Sequence, residues 1–361
     1  MEEYLMQQWC FHEAYGKHAI DLGESNIQCQ KLADIGVDLS TVLDYSQDQG
    51  SVSLRRAVGN LYRRSIDEIA ITNGSQEALY LIYRTLLESG DSVITFRPGW
   101  QQSWSVPRSM GCKVTALEYG INHEIDMNSL EKALTAAPKL LVLNTPCNPT
   151  GKKLSRKNLL EIVQLLSRHG TYLVCDEEYL IDFNESAVGL YERAISVSSL
   201  SKIYGLHGLR TGWLCGPRAI VDAVVNYRRY TSICNSVLCE RLAENVLQDR
   251  QRHLSRYHRL RTAGFELLKG WAQENSSYIQ MVEPAGTPFA WFDLLDGRSS
   301  WKFCRQALNA GVLLIPAEVF GTVGGFRLTF AREQAILLDG LLRVESVLRS
   351  NRNAHAALAD V

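Results

Sequence analysis

From Leu54 onward, short apolar runs alternate with longer stretches in which apolar residues recur three and four positions apart. The runs IAITN (69–73), SVITF (92–96), CKVTALEY (112–119), KLLVLNTP (139–146), TYLVCDEEY (171–179) and ISVSSLSK (195–202) read as strands. Between them, SQEALYLIYRTLLESG (75–90) and LSRKNLLEIVQLLSRHG (154–170) read as amphipathic helices. Strand and helix in regular succession predict an α/β fold, a mostly parallel sheet covered on both faces. Ligands of such sheets bind beyond the carboxyl ends of the strands.

The flanking segments differ. Residues 1–44 are polar and irregular, an arm with a short helix that belongs in part to a smaller domain, and residues 45–248 form the large domain. A helical pattern runs nearly unbroken from Pro217 to about Lys269. Residues 249–361 then close the chain as a smaller α+β domain, with strands at YIQMVEP, PFAWFDL, VLLIPAE and FRLTF and helices at SSWKFCRQALNAG and REQAILLDGLLRVESVLRS. The tail NRNAHAALADV is expected to fray. Without repeats or a Gly/Ser linker, the two domains should pack directly together.

Composition narrows the partners. Lys+Arg 38 against Asp+Glu 39 leaves a formal charge of −1, so nothing draws the chain generally to nucleic acid or anionic membrane, and a small molecule is the expected ligand. The nine cysteines are scattered without a CxxC pair, which fits free thiols in a reducing compartment and no metal site. The N-terminus carries acids where a signal peptide has a basic region, and no stretch of about 18 apolar residues occurs, so a cytoplasmic protein is expected.

The strongest local signal is SSLSKIYGLHGLRTGW (198–213). Lysines are mostly solvated, but Lys202 follows a strand-like run, with a hydroxyl at Ser199 and a guanidinium at Arg210 suited to a phosphate dianion. Its amine can form an imine with an aldehyde. The spacing Ser199, Ser201, Lys202, Gly208, Arg210 resembles the S-x-S-K-x-x-x-x-x-G-x-R segment of the fold-type I pyridoxal-phosphate enzymes, the class I/II aminotransferase superfamily. The resemblance implies that superfamily's fold, pyridoxal 5′-phosphate on Lys202, and Lys202 as the catalytic base.

Further motifs follow in the family's order over nearly the whole chain. In NGSQEAL (73–79), Gly74, Ser75 and Gln76 open a helix whose N-terminal N–H groups can cradle a phosphate. In FRPGW (96–100), Trp100 can stack on the pyridine ring. NTPCNPTG (144–151) contains the family's NPTG turn, with Asn148 toward the cofactor's phenolic oxygen, which Tyr179 would share. Asp176 ends a strand and would keep the pyridine nitrogen protonated. The resemblance also implies that Tyr45, in LDYSQDQG (43–50), reaches the phosphate of a neighbouring subunit in a homodimer, and that Arg327, in FGTVGGFRLTFA (320–331), clamps a substrate α-carboxylate.

The compact length, the arm ending in IDLGESN, and the segments DYSQDQGSVSLRRAV and SLSKIYGLHGLRTGW are similar to the capreomycidine-synthase-like branch, the hydroxyarginine cyclases. That branch implies conversion of (S)-4-hydroxy-L-arginine into a cyclic guanidine amino acid. A guanidinium needs an acidic or hydrogen-bonding cradle, for which Glu24 beside Gly23 is the first candidate, followed by His207 and Glu13. The alternative is an ordinary aminotransferase working with 2-oxoglutarate. A regulatory effector domain behind a winged-helix module would need more chain than the 44 residues ahead of Tyr45.

Overall fold

The computed structural model describes residues 1–359, apart from the side chains at 121 and 351–359. Its strands in chain order are β1 (Ile20–Asp21), β2 (Ile69–Thr72), β3 (Ser92–Arg97), β4 (Lys113–Glu118), β5 (Leu140–Asn144), β6 (Tyr172–Asp176), β7 (Ala194–Ser199), β8 (Gly212–Cys215), β9 (Ile279–Val282), β10 (Phe289–Leu294), β11 (Val312–Leu313), β12 (Ile315–Pro316) and β13 (Gly325–Thr329). Seven of them form one sheet in the order β2-β8-β7-β6-β5-β3-β4. β3 through β7 run parallel, while β8 runs antiparallel to both β7 and β2.

Burial on both faces explains the unalternating apolar runs. Leu141, Leu143, Leu173 and Cys175 face one core, together with the helix Arg156–His169, and Leu140, Val142 and Val174 face the other, together with the helix Ser75–Leu86. At about 25 cal/mol per Å² of buried apolar surface, two such cores are the main favourable term holding the sheet in place.

A four-stranded antiparallel sheet, β12-β13-β10-β9, carries the C-terminal part. The arm joins it, because β1 pairs in parallel with β11, and Trp9, fully buried, donates from its indole to the Leu314 carbonyl at 2.8 Å. The expected helical stretch after Pro217 is three helices, Arg218–Arg228, Val237–Gln248 and Arg250–Glu274. The last contributes Leu254, Tyr257 and Leu260 to the large sheet's core and Leu268 and Trp271 to the smaller one. The final helix Gln334–Ala359 extends into the tail expected to fray, where the side chains lie outside the described residues. Among the described residues no helix is long and apolar enough to cross a membrane, and no cluster of metal-ligating side chains occurs.

Candidate active site

β5, β6 and β7 end side by side, and a cavity of about 570 Å³ opens above them. Lys202 lines it, three residues past the end of β7, in a tight turn closed by the Leu206 N–H on the Leu200 carbonyl at 3.1 Å. Asp176, Tyr179, Asn148, Ser75, Gln76, Trp100, His207, Arg210, Arg327 and Glu24 line the same cavity. Residues that the sequence scatters over three hundred positions are thus brought to one place by the parallel strand order.

One end of the cavity is a cup of anion-binding groups. Gly74, at φ +78°, caps the helix Ser75–Leu86, so the free N–H groups of its first turn face the cavity. Arg210 adopts a left-handed conformation and donates to the His207 carbonyl at 3.0 Å and the Asn73 carbonyl at 3.4 Å. A Cβ at residue 74 would lie 2.4 Å from an Arg210 Nη atom, so only glycine lets the guanidinium come this close. Ser199 is fully buried behind the cup, and its hydroxyl donates to Glu178 Oε2 at 2.8 Å.

Asp176 lines the same cavity from the tip of β6. Burial, with the Glu178 carboxylate next, pushes its carboxyl well above the usual range. A cationic ring nitrogen opposite it would restore the carboxylate. Trp100 forms a side wall, its indole donating to Gln76 Oε1 at 2.9 Å and its ring meeting Tyr4 edge-on at 5.8 Å. The Tyr179 phenol is buried edge-on to Phe289, and burial raises its pKa far above normal.

Arg327 is 2% exposed and sits between the Phe289 and Phe320 rings. It donates to Asn148 Oδ1 at 2.5 Å and to the Gly23 carbonyl at 2.6 Å, while its Nε has no hydrogen-bond partner among the described residues. Gly23 therefore contributes a carbonyl that orients Arg327. Glu24 turns into the cavity, and its carboxylate makes no hydrogen bond or ion pair among the described residues. His207 approaches Cys29 at 3.8 Å, its Nδ1 is buried without a partner, and burial and Lys202 together lower its pKa.

Two expected residues lie elsewhere. Glu13 is not in the cavity: it ends a π-helical turn, Gln8–Glu13, that carries it round to pair with Arg305. Tyr45 is 81% exposed, outside the cavity of its own chain. The sequence reading missed Glu178, between Asp176 and Tyr179, and Met6, Gln7, Cys10 and Phe11 of the arm, which also line the cavity. The apolar i, i+4 spacing of Met6 and Cys10 was the available signal.

The groups present fit a phosphorylated pyridine aldehyde: a lysine amine, a cup of N–H, hydroxyl and guanidinium donors, an aromatic wall, and a buried carboxylate at the tip of β6. The comparisons agree. Residues 19–342 match the family described as aminotransferase class I and II. Aspartate aminotransferase of Thermotoga maritima is 26% identical over 85% of this chain and 84% of its own, and a probable N-acetyl-LL-diaminopimelate aminotransferase of Bacillus subtilis is 28% identical over 87% and 84%. A PLP-dependent aminotransferase from Streptococcus suis superimposes with a TM-score of 0.91 at 28% identity, covering 96% of this chain and 98% of that one. The PLP-dependent cyclase OrfR superimposes at 0.90 with 26% identity, covering 97% and 98%. The cofactor is pyridoxal 5′-phosphate, and the chain belongs to the class I and II aminotransferase family, with the fold-type I architecture.

Proposed function

We propose that this enzyme is a hydroxyarginine cyclase, converting (S)-4-hydroxy-L-arginine to L-enduracididine, as the similar cyclase of guanitoxin biosynthesis does. The observation that carries the reading is Glu24, an acid lining the cavity under the arm, whose carboxylate is near the buried Arg327 and Arg332 but makes no hydrogen bond among the described residues. A carboxylate with both oxygens free of hydrogen bonds can receive a substrate guanidinium with bidentate geometry. Arg327, with its unpartnered Nε, binds the α-carboxylate. The likeness to a PLP-dependent cyclase over nearly the full chain supports the same reading.

When bound, the cofactor supplies an electron sink that acidifies Cα. The Lys202 amine would take the Cα proton, give it up within the site and so be free to take a Cβ proton. After one proton leaves with the hydroxyl and the ring-closing nitrogen gives up one of its own, a proton returns to Cβ and one to Cα. The γ-hydroxyl leaves as water, and a terminal guanidine nitrogen adds at Cγ to close a five-membered ring, so the overall change is loss of one water with every nitrogen kept. Asp176 holds the proton on the ring nitrogen, Asn148 and Tyr179 bind the phenolic oxygen, and Ser75, Gln76, Ser199 and Arg210 hold the phosphate. Tyr45 of a second copy completes that phosphate site in a homodimer, and His207 stands by the side-chain pocket.

The second reading, an aminotransferase, draws on the names of the sequence relatives. Incubating the loaded enzyme with amino donors, 4-hydroxyarginine included, and 2-oxoglutarate separates the two. No glutamate above background is expected, and steady glutamate formation would overturn the cyclase.

A further inference from the structure

Adjacent acids at the end of β6 are treated oppositely. Glu177 is saturated, accepting from the Ser186 hydroxyl at 2.7 Å, the Ser196 hydroxyl at 2.5 Å and the Ala187 N–H at 2.9 Å. Glu178 is 4% exposed and points into the cavity. Its Oε2 takes the Ser199 hydroxyl at 2.8 Å, the Ser75 hydroxyl lies alongside, and its Oε1 is buried with no hydrogen-bond partner among the described residues. The cations facing it are Lys202 and Arg210. Three of these four neighbours, Ser75, Ser199 and Arg210, are the groups assigned to the cofactor phosphate.

We propose that Glu178 is a resident anion of the phosphate cup: its carboxylate competes with the cofactor phosphate for Ser75, Ser199 and Arg210, and cofactor loading places a proton on Glu178. Two anions sharing one set of donors away from water repel strongly, and one must be neutralised. The phosphate, with a second pKa of about 6, stays dianionic at neutral pH and above. Burial already raises the Glu178 carboxyl, against the pull of Lys202, Ser75, Ser199 and Arg210. A phosphate beside it raises that carboxyl further, so binding takes up a proton. Cofactor affinity then falls as pH rises above the pKa of the carboxyl before loading, a loss that a neutral residue at 178 would not show.

Asp176 and Tyr179 are the other titratable groups beside Glu178. Asp176 meets the ring nitrogen and gives the opposite sign, since a ring cation lowers its pKa and releases a proton. Glu24, His207, Cys10 and Arg327 share the cavity at greater remove. Comparing ligands with and without the phosphate cancels all of these.

The inference needs only the cofactor, not the hydroxyarginine reading. Its test is the dissociation constant of pyridoxamine 5′-phosphate, by tryptophan fluorescence between about pH 6 and 8.5, for the wild type and Glu178→Gln. The variant is expected to bind about 10-fold or more tightly near pH 8, the gap closing toward pH 6. Calorimetry of the wild type in two buffers of different ionisation enthalpy gives a second readout that does not depend on the variant folding. More protons should be taken up with pyridoxamine 5′-phosphate than with pyridoxamine. Equal or weaker binding by a folded variant at every pH, or equal uptake for the two ligands, would overturn the proposal.

Discussion

Lys202 projects into the cavity from the turn after β7, and among the described residues no other lysine lines that cavity. Lys202→Ala should abolish the cofactor adduct trapped by borohydride and lower turnover at least about 10²-fold, while inorganic phosphate still protects the fold through the cup. A trapped adduct of unchanged yield would assign the imine to another lysine. Glu24→Gln keeps the size of the side chain and removes its charge. It should raise KM for hydroxyarginine roughly 10- to 100-fold, the worth of about 1.5–3 kcal/mol for a charged hydrogen bond, with little change in cofactor affinity. At this scale the sequence was informative where chemistry restricts the residue type: a lysine, an asparagine in a turn, an acid closing an apolar strand. It was not informative about which of two neighbouring glutamates is satisfied, because Ser186, Ser196 and the Ala187 N–H, which hold Glu177, arrive from distant segments.

Six of the seven strands of the large sheet begin and end within three residues of the apolar runs, because parallel strands buried on both faces leave a continuous apolar trace. β8 was hidden, a four-residue strand between the cofactor turn and the following helix. Its first residue decides how the phosphate loop sits: a Cβ at Gly212 would lie 2.6 Å from the Ser75 backbone nitrogen and 2.8 Å from Gly74 Cα. Neither is a side chain that can swing aside. Gly212→Ala should displace the start of the helix Ser75–Leu86, cost about 1–3 kcal/mol in denaturant unfolding and weaken binding of the phosphorylated cofactor more than that of pyridoxal. Two interruptions were also illegible. The π turn Gln8–Glu13 rotates Glu13 away from the cavity, and the buried Arg228 ends its helix by donating to the Ile71 carbonyl at 2.6 Å and the Asp48 carbonyl at 3.1 Å. A charge that ends in the core looks, in sequence, like any solvated arginine.

For the molecule as a whole, periodicity gave the fold class but could not give strand order, nor the return of the arm to β11 almost three hundred residues on. The expected division at 248/249 falls at the head of a helix that packs into both cores, so the two parts share a rigid strut. The segment before the first long helix leaves Leu39 94%, Val42 78%, Leu43 77% and Tyr45 81% exposed. Such a run costs solvation in a lone chain, and the proposed homodimer would cover it with a second copy. Sedimentation should therefore give twice the 40.6 kDa chain mass, and Tyr45→Ala should weaken cofactor binding without dissociating the dimer. A monomer binding the cofactor fully would contradict the shared site.

The arm, Glu24 and the Lys202 base together predict a reaction that discards water and keeps the amine. The most direct measurement is mass spectrometry of the product from 4-hydroxyarginine labelled with nitrogen-15 at the α-amino group, using enzyme loaded with pyridoxal 5′-phosphate. The account predicts a cyclic product one water lighter than substrate, with the label retained. A keto acid, with the label passed to the cofactor or to glutamate, would contradict it.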